Sequence, residues 1–378
     1  MVMVMRFLHT ADWHIGKRLN SFDLLADQQA VFEQIRDVAR SEHVDALVIA
    51  GDVYDRALAN EESVEAVNGM IQTLNLTDQL PLLVISGNHD SPVRLGTGSP
   101  WFKATHYYLH TALAQAIDEP VTLGDTQFFL LPFWQPFAAR QYFADDSLTT
   151  VPLAMAAIVQ AMQAKFAPDK KHVLVAHLFA AGASQTDSET TSKVGGLDAV
   201  PVDLLQVFDY VALGHLHSHH ALHDEKVRYS GSPLKFSASE AGDEKGVWIV
   251  DTTAGTVEWR PLTSPHDLQA ITASFADLTK PDFLPPDAQD DYLAITLTDT
   301  QVIPNVMQIL RGQYPHILEI KRAHGRARDD EAPVLTVQRH LDPQKLAADF
   351  YTEMQETPLT DRQTEWLKQT WAEMEAQE

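Results

Sequence analysis

The sequence predicts an α/β layer fold, followed by a small α+β unit and a helical tail. Two observations predict the layers: apolar segments of strand length alternate with helical patterns, and polar residues come directly after several of these segments. The segments expected to be buried strands are residues 4–9, 46–50, 82–85, 173–176 and 211–213.

The first helix is expected between the first two strands. Apolar residues from Leu24 to Ala39 recur at three- and four-residue spacing, which places them on one helix face. Residues 62–76 predict a second helix of the same kind. Later, residues 227–230, 247–251 and 256–260 follow one another without helical patterns, so we expect the sheet to continue there in antiparallel form.

The composition changes near Thr263, and a proline-rich stretch follows at 281–286. After it, residues 292–297, 317–321 and 334–337 predict strands, and residues 303–310 a helix. Two helical stretches at 343–356 and 360–378 form the tail. We therefore expect three domains: a large layered domain at 1–262, a small α+β capping domain at 266–340, and a helical tail at 343–378.

Composition excludes several classes of protein. The chain has 378 residues, no cysteine, and 52 acidic against 28 basic residues, for a net charge of −24. The lack of cysteine excludes a disulfide scaffold, a thiolate zinc site and a cysteine nucleophile. The apolar runs are too short to span a membrane, and the N-terminal run is too short for a signal peptide, so a cytoplasmic protein is expected.

Excess acidity argues against a protein that coats nucleic acid through bulk charge. The acidic composition does not exclude a nuclease, because bound metal ions add positive charge that a residue count omits.

Polar residues that suit metal chemistry follow five of the predicted strands. In chain order they are Asp12 and His14; Asp52; Asn88, His89 and Asp90; His177; and His215 and His217. In α/β proteins, sites are built where the carboxyl ends of strands meet. Any one of these residues would more often be structural, so it is the combination that indicates a site.

The residue types point to a dinuclear metal centre. Carboxylate, amide and imidazole groups without sulfur suit hard-to-borderline metals. Two metals need a bridging carboxylate and about three further ligands each. Enough ligands are supplied by Asp12, His14, Asp52, Asn88, His177, His215 and His217. His89 remains as an acid or a phosphate contact.

These motifs resemble the five motifs of calcineurin-like metallophosphoesterases. The matching segments are Asp12-x-His14, Gly51-Asp52, Gly87-Asn88-His89-Asp90, His177 and Gly214-His215-x-His217. The resemblance implies an α/β/β/α sandwich with two divalent metals, expected to be Mn²⁺. One metal would bind Asp12, His14, Asp52 and His217; the other would bind Asp52, Asn88, His177 and His215. Asp52 would bridge the metals, and Asp90 would orient His89.

Longer segments, at 10–16, 51–56, 87–95, 210–217 and 228–236, are similar to the nuclease subunits of the bacterial SbcCD complexes. This resemblance implies a Mn²⁺-dependent DNA nuclease, acting as an exonuclease on double-stranded ends and an endonuclease on hairpins and single strands. The implied partner is an SMC-like ATPase subunit, SbcC, and the implied assembly is a homodimer within a heterotetramer. The implied roles are DNA recombination, repair and replication.

Residues beside the motifs are candidate DNA contacts: Lys17, Arg18, Arg56, Arg94, Tyr229 and Ser232. The alternatives are solvated loop charges, ion-pair partners, or a plain turn at the Gly-Ser pairs. A basic run from Lys321 to Arg328 is either a DNA-guiding patch or a solvated face. Five aromatic residues are expected in the core rather than stacked on bases: Trp101, Phe128, Phe129, Phe133 and Trp134.

The tail carries narrow apolar stripes, and Trp366, Trp371 and Met374 are candidate anchors for the ATPase subunit. Packing against the protein's own catalytic domain is the alternative. Two other functions stay open: a phosphodiesterase or phosphatase acting on small nucleotides or phosphoproteins, and a non-catalytic scaffold.

Overall fold

The computed structural model of the protein describes residues 5–189, 199–323, 359–360 and 362–368. The chain divides into one compact unit of Met1–Gly325 and a second of Arg326–Glu378, of which residues 362–368 are helical. Within the described ranges, no helix is both long and apolar enough to cross a membrane. The three domain boundaries expected from the sequence stay a prediction.

The described ranges contain strands β1 (Arg6–Thr10), β2 (Arg18–Leu19), β3 (Phe22–Asp23), β4 (Ala46–Ala50), β5 (Leu82–Ile85), β6 (Tyr107–His110), β7 (Val121–Leu123), β8 (Thr126–Leu131), β9 (Lys171–His177), β10 (Tyr210–Gly214), β11 (Val227–Tyr229), β12 (Gly246–Asp251), β13 (Thr256–Pro261), β14 (Leu268–Ala273), β15 (Tyr292–Leu297) and β16 (Ile317–Arg322). The helices are α1 (Leu25–Ser41), α2 (Glu61–Gln72), α3 (Pro92–Leu95), α4 (Ser99–Phe102), α5 (Leu113–Asp118), α6 (Pro136–Phe143), α7 (Val151–Gln163), α8 (Phe275–Leu278) and α9 (Val306–Arg311).

The first sheet has six strands in the order β13-β12-β1-β4-β5-β6. β1, β4, β5 and β6 are parallel, because α1, α2 and the short helices α3 and α4 carry the chain back between successive strands. The side chain of Asn60 caps α2 by accepting a hydrogen bond from the Ser63 amide at 2.8 Å. α2 was predicted to run to residue 76, but its last turn is a π-helix at Thr73–Thr77.

The second sheet has five strands in the order β11-β10-β9-β8-β7, all parallel except β7. The expectation that residues 227–230 continue an antiparallel sheet is wrong. β11 pairs in parallel with β10, because the loop of residues 215–226 is long enough to return the chain to the start of β10. The antiparallel prediction holds for β12 and β13.

The two sheets pack face to face, with helices on both outer surfaces. Between the sheets, the ring of Phe7 on β1 lies 5.3 Å from that of Phe128 on β8, edge to face. Outside the first sheet, Leu47 on β4 packs in one cluster with α1 and α2; outside the second, Leu174 on β9 packs with α5 and α7. The predicted α/β/β/α layering is therefore confirmed.

Patterning did not predict β6, β7, β8, α5, α6, α7 and β14. β8 is buried along its whole length, so it lacks the polar alternation that marks a half-exposed strand. The predicted strand at 334–337 and helix at 343–356 lie outside the described residues.

The small α+β unit is a parallel sheet in the order β14-β15-β16, with α8 and α9 packed around Leu293 and Tyr314. It is tied to the layered domain through Asp27 on α1. The Asp27 carboxylate lies 2.7 Å from Nδ1 of His266 and accepts a hydrogen bond from the Tyr292 hydroxyl at 2.9 Å.

Candidate metal centre

The polar residues predicted to form a site come together where the carboxyl ends of both sheets meet. Loops after β1, β4 and β5 of the first sheet supply Asp12, His14, Asp52 and Asn88. The second sheet supplies the other donors: His177 is the last residue of β9, and His215 and His217 follow β10. Of the histidines and aspartates in this set, each is less than 9% exposed, so the donors face one another rather than solvent.

Four of these residues have backbones in the left-handed region, which non-glycine residues rarely adopt. The φ angles are 53° for Asp12, 45° for His14, 47° for Asp52 and 100° for His215. Hydrogen bonds between the loops hold two of them, since the Asp12 and His14 amides donate to the carbonyls of Gly51 and Asp52 at 3.0 Å. Such strain collects at functional sites, where the surrounding structure enforces it.

Two glycines allow the loops to approach closely. A β-carbon on Gly87 would lie 2.1 Å from Oδ1 of Asp52, and one on Gly214 would lie 2.1 Å from the carbonyl oxygen of Ala50. Both distances are far below van der Waals contact, so any side chain at either position would displace its neighbour.

One group of donors consists of Asp12, His14 and His217, whose ligand atoms all lie within 4.8 Å of one another. Nε2 of His14 and Nε2 of His217 face each other at 3.2 Å. Two imidazole nitrogens directed at one point, with a carboxylate beside them, form a set that suits a divalent cation.

A second group consists of Asp12, Asp52 and His177, again within 4.8 Å. Oδ1 of Asn88 lies 2.9 Å from Nε2 of His177 and 3.0 Å from Nδ1 of His215. Oδ2 of Asp52 is 3.3 Å from His177 and 3.6 Å from His14, so Asp52 lies between the two groups.

The ionisable side chains of this cluster are buried, so water does not stabilise their charged forms. Burial raises the pKa of Asp12 to about 7 and lowers that of His215 to about 3. Burial works against ionisation of Asp52 as well, but His177 and His14 outweigh it and hold the Asp52 pKa below its ordinary range. The donor set therefore fits divalent cations, which would neutralise the carboxylates and take up the imidazole lone pairs.

His89 lies beside this cluster, and the expected orientation of its ring by Asp90 stays a prediction. The Asp90 carboxylate accepts hydrogen bonds from the backbone amides of Val53, Tyr54 and Gly87 at 2.9–3.1 Å. Nδ1 of His89 lies 2.8 Å from the carbonyl oxygen of Asp55, and the His89 amide donates to Oδ1 of Asp52. Asp90 therefore ties the loops after β4 and β5 together through their backbone amides.

Two family models match the chain. One, described as calcineurin-like phosphoesterase, matches residues 5–219, more than half of the chain; the other, described as type 5 capsule protein repressor C-terminal domain, matches residues 264–355. The chain belongs to the calcineurin-like phosphoesterase family. It is also 31% identical over 367 residues to the D subunit of nuclease SbcCD from Staphylococcus epidermidis, covering 96% of this chain and 97% of that protein.

The predicted family and enzyme class, a metal-dependent phosphoesterase, are thereby confirmed.

Solved structures are more distant. TT1561 of Thermus thermophilus is 12% identical, with a TM-score of 0.41 over 68% of this chain and 99% of that one. Yfce, a phosphoesterase from E. coli, is 12% identical, with a TM-score of 0.27 over 68% of this chain and 100% of that one.

Candidate DNA contacts of this phosphoesterase divide into accessible and buried groups. Lys17 pairs with Asp55 at 3.0 Å at the edge of the cluster, and Arg56 pairs with the same carboxylate at 3.5 Å. Arg94 is exposed on α3, and Arg18 is exposed and pairs with Asp23 at 3.6 Å. These four side chains remain candidates.

Tyr229 and Ser232 were expected to line the site, but both are fully buried and inaccessible to a substrate. The Tyr229 hydroxyl donates to the carbonyl of Leu178 at 2.9 Å and accepts from the amide of Ala180 at 2.8 Å. The Ser232 hydroxyl donates to the carbonyl of Leu234 at 2.7 Å. Both hydroxyls therefore tie backbone segments together.

Of the five aromatic residues expected in the core, Phe128 and Phe129 are fully buried and Trp134 is partly buried, but the prediction is wrong for the other two. Trp101 on α4 is 76% exposed, and Phe133 is 38% exposed, with its ring centroid 6.4 Å from that of His177. In the basic run, Lys321 pairs with Glu319 at 2.7 Å, and residues 324–328 lie outside the described ranges. Trp366 is exposed within helical residues 362–368, whereas residues 371 and 374 lie outside.

Sequence reasoning missed several polar residues that surround the ligands. Asp55 contacts Lys17 and His89, and its position inside the 51–56 segment was a usable signal. Ser188, Glu240 and Lys245 form a buried network against His217. No strand-end pattern marks these three: Ser188 lies in a loop, Glu240 ends a 3₁₀ turn and Lys245 precedes β12, so they meet only in the folded chain.

Proposed function

We propose that this phosphoesterase is the nuclease subunit of an SbcCD-type complex and hydrolyses DNA phosphodiesters with two divalent cations, Mn²⁺ in particular. The observation that supports the proposal best is the convergence of the predicted donors on two adjacent ligand groups that share Asp12, with the Asp52 carboxylate between them. Similarity to an SbcCD nuclease subunit over 96% of this chain supports DNA as the substrate class.

We assign one cation to Asp12, His14, Asp52 and His217, and the other to Asp52, Asn88, His177 and His215. Bound cations would activate water and neutralise charge on the phosphoryl oxygens.

The chain's own groups would bind and orient the phosphodiester. Nδ1 of His89 lies 2.8 Å from the Asp55 carbonyl oxygen, and since a carbonyl can only accept, Nδ1 carries the proton of the neutral ring. We assign to the His89 ring the contact to a phosphoryl oxygen or the transfer of a proton to the leaving oxygen. Lys17 and Arg56 lie on the loops after β1 and β4, and Arg94 lies on α3 after β5; there they would contact flanking phosphates.

Cleavage of end-labelled DNA by the purified chain tests this proposal. We expect Mn²⁺-dependent nicking of a hairpin and shortening of a duplex from its end, both abolished by EDTA. Asp52→Ala and His217→Ala should abolish cleavage, whereas His223→Ala, at an exposed histidine outside the cluster, should retain it. Normal cleavage by the Asp52→Ala protein would overturn the assignment.

A panel of substrates addresses the alternative of a small-nucleotide enzyme. If the metal-loaded chain hydrolyses cyclic or dinucleotide phosphodiesters and leaves hairpin and duplex DNA intact, the nuclease proposal is wrong.

The proposed partner is an SMC-like ATPase subunit of the SbcC kind, bound through residues 343–378. Removal of these residues should preserve Mn²⁺-dependent nuclease activity and abolish co-purification with the ATPase subunit. Retained co-purification would refute this assignment of the tail.

We also propose a homodimer within the larger heterotetramer, formed through the exposed apolar surface of Leu58, Leu76, Val93 and Trp101. These residues line or flank a groove of about 650 Å³ between α2 and α4, and a large exposed apolar patch marks an interaction surface. Trp101→Glu should convert a dimer to a monomer in analytical ultracentrifugation. Leu153→Glu, at an exposed leucine on α7, is the matched control. A dimer that survives Trp101→Glu would exclude this surface.

A further inference from the structure

Beneath His217 lies an ion pair that is almost completely shielded from water. Nζ of Lys245 is 2.6 Å from Oε2 of Glu240, and the two residues are 7% and 0% exposed. Lys245 also donates to Oγ of Ser232 at 3.1 Å. A buried ion pair gives little stability by itself, because the desolvation of both charges offsets their attraction.

The pair is connected to the ring of His217 through one hydroxyl. Oγ of Ser188 lies 2.7 Å from Nδ1 of His217 and donates to Oε1 of Glu240. Since a carboxylate can only accept, the hydroxyl hydrogen of Ser188 points to Glu240, and its oxygen accepts from the ring. Nδ1 of His217 is therefore the protonated nitrogen.

This chain of hydrogen bonds determines which nitrogen of His217 is available to a ligand. With the hydrogen on Nδ1, the lone pair of Nε2 is directed at the group formed with Asp12 and His14. A second contact to the ring of a metal-binding histidine commonly fixes its tautomer in this way.

The backbone of His217 is held by the same surroundings. Lys245 donates to the carbonyl of His217 at 2.8 Å, and Oε1 of Glu189 accepts from its amide at 2.7 Å. Ring and main chain are thus fixed from both sides by residues of two separate loops.

We propose that Ser188, Glu240 and Lys245 are positioning residues that set the tautomer and orientation of His217 for metal binding. They act through His217 and do not touch the substrate. The inference rests on the proposed metal site, but not on the identity of the substrate.

The first test is a calorimetric titration of Mn²⁺ into metal-free protein without DNA. Ser188→Ala should weaken one of the two sites about 10- to 100-fold and leave the other unchanged. Ser188→Thr, which keeps the hydroxyl, should restore the affinity. Ser184→Ala is the control, because this serine is in the same loop and, among the residues that the structure describes, its hydroxyl donates to the carbonyl of Ala221 and not to the His217 network. Wild-type affinity at both sites in Ser188→Ala would overturn the proposal.

The second test reads the tautomer directly by ¹⁵N NMR of the histidine rings in metal-free protein, with His217 assigned from the spectrum of His217→Gln. We expect Nδ1 protonated in the wild type and a mixed population in Ser188→Ala and Glu240→Gln. Protonated Nε2 in the wild type would refute the inference even if the chain proves to be a nuclease. Conversely, the expected tautomer with two bound metals and no DNA cleavage would contradict the proposed function alone.

Discussion

Gly87 is the position where one methyl group should disable the metal centre and leave the fold intact. Its β-carbon would lie 2.1 Å from Oδ1, 2.4 Å from the amide nitrogen and 2.6 Å from Cγ of Asp52. Gly87→Ala therefore pushes on the residue that lies between both donor groups. The Gly87 amide, which donates to Asp90, is kept by alanine.

The size of the effect follows from the overlap. A carbon–oxygen contact needs roughly 3.3 Å, so the Asp52 carboxylate must move by about 1 Å. Displacement of a catalytic group by that distance costs on the order of 100-fold in rate, which corresponds to about 3 kcal/mol of transition-state stabilisation. Overpacking should lower the free energy of unfolding by about 1–3 kcal/mol.

The assay combines Mn²⁺ titration, hydrolysis of bis(p-nitrophenyl) phosphate and urea denaturation. Gly69→Ala is the control, because a β-carbon there meets no atom within 4 Å and alanine should stabilise α2 by roughly 0.5–1 kcal/mol. Wild-type metal affinity and rate in Gly87→Ala would refute the reasoning. If that variant does not fold, Asp52→Asn tests the same carboxylate without adding volume.

Three further predictions follow from other contacts. Tyr229→Phe should lower the free energy of unfolding by about 1–3 kcal/mol in urea and leave the KM for DNA unchanged, since its hydroxyl bonds only to the backbone; an altered KM would contradict this. In metal-free protein, burial opposes the charge of His177, but Asp52 outweighs burial and raises its pKa to about 9. The attraction between protonated His177 and Asp52 therefore stabilises the folded protein fully below pH 6.5, and this stabilisation is lost as the pH rises to 9. The Tm of the metal-free protein should fall over this range, and it should fall less steeply in His177→Gln. Lys17→Ala should reduce the slope of log affinity for DNA against log salt concentration by about one, whereas Lys170→Ala, just before the start of β9, should not. Equal slopes in the two variants would exclude the Lys17 contact.

The local pattern of the sequence was sufficient for the parts of the fold that depend on neighbouring residues. β4 and β5 were placed at their observed bounds, because uninterrupted apolar segments between loops are typical of buried parallel strands. β11 was assigned to the wrong sheet, because sheet membership depends on where a twelve-residue loop returns the chain, and residue spacing does not encode that.

In the site, too, features set by neighbouring residues were predictable and features set by the folded chain were not. The candidate metal ligands were predictable, because each of the five motifs places a carboxylate, amide or imidazole directly after a predicted strand. Their surroundings were not, because Ser188 and Glu240 reach His217 from loops 29 and 23 positions away in the sequence. Tyr229 was misjudged for the related reason that a motif position does not show whether its side chain faces the cleft or the core.

A physical link connects the strained backbone with the buried charges. Asp12 and Asp52 both keep left-handed backbone conformations, which cost on the order of 1–3 kcal/mol each, and both place carboxylates where burial opposes their ionisation. A fold tolerates such costs where another free energy offsets them, and two bound cations would supply it. The metal-free protein should therefore be markedly less stable than the loaded one, and the difference should shrink in any variant that loosens Asp52.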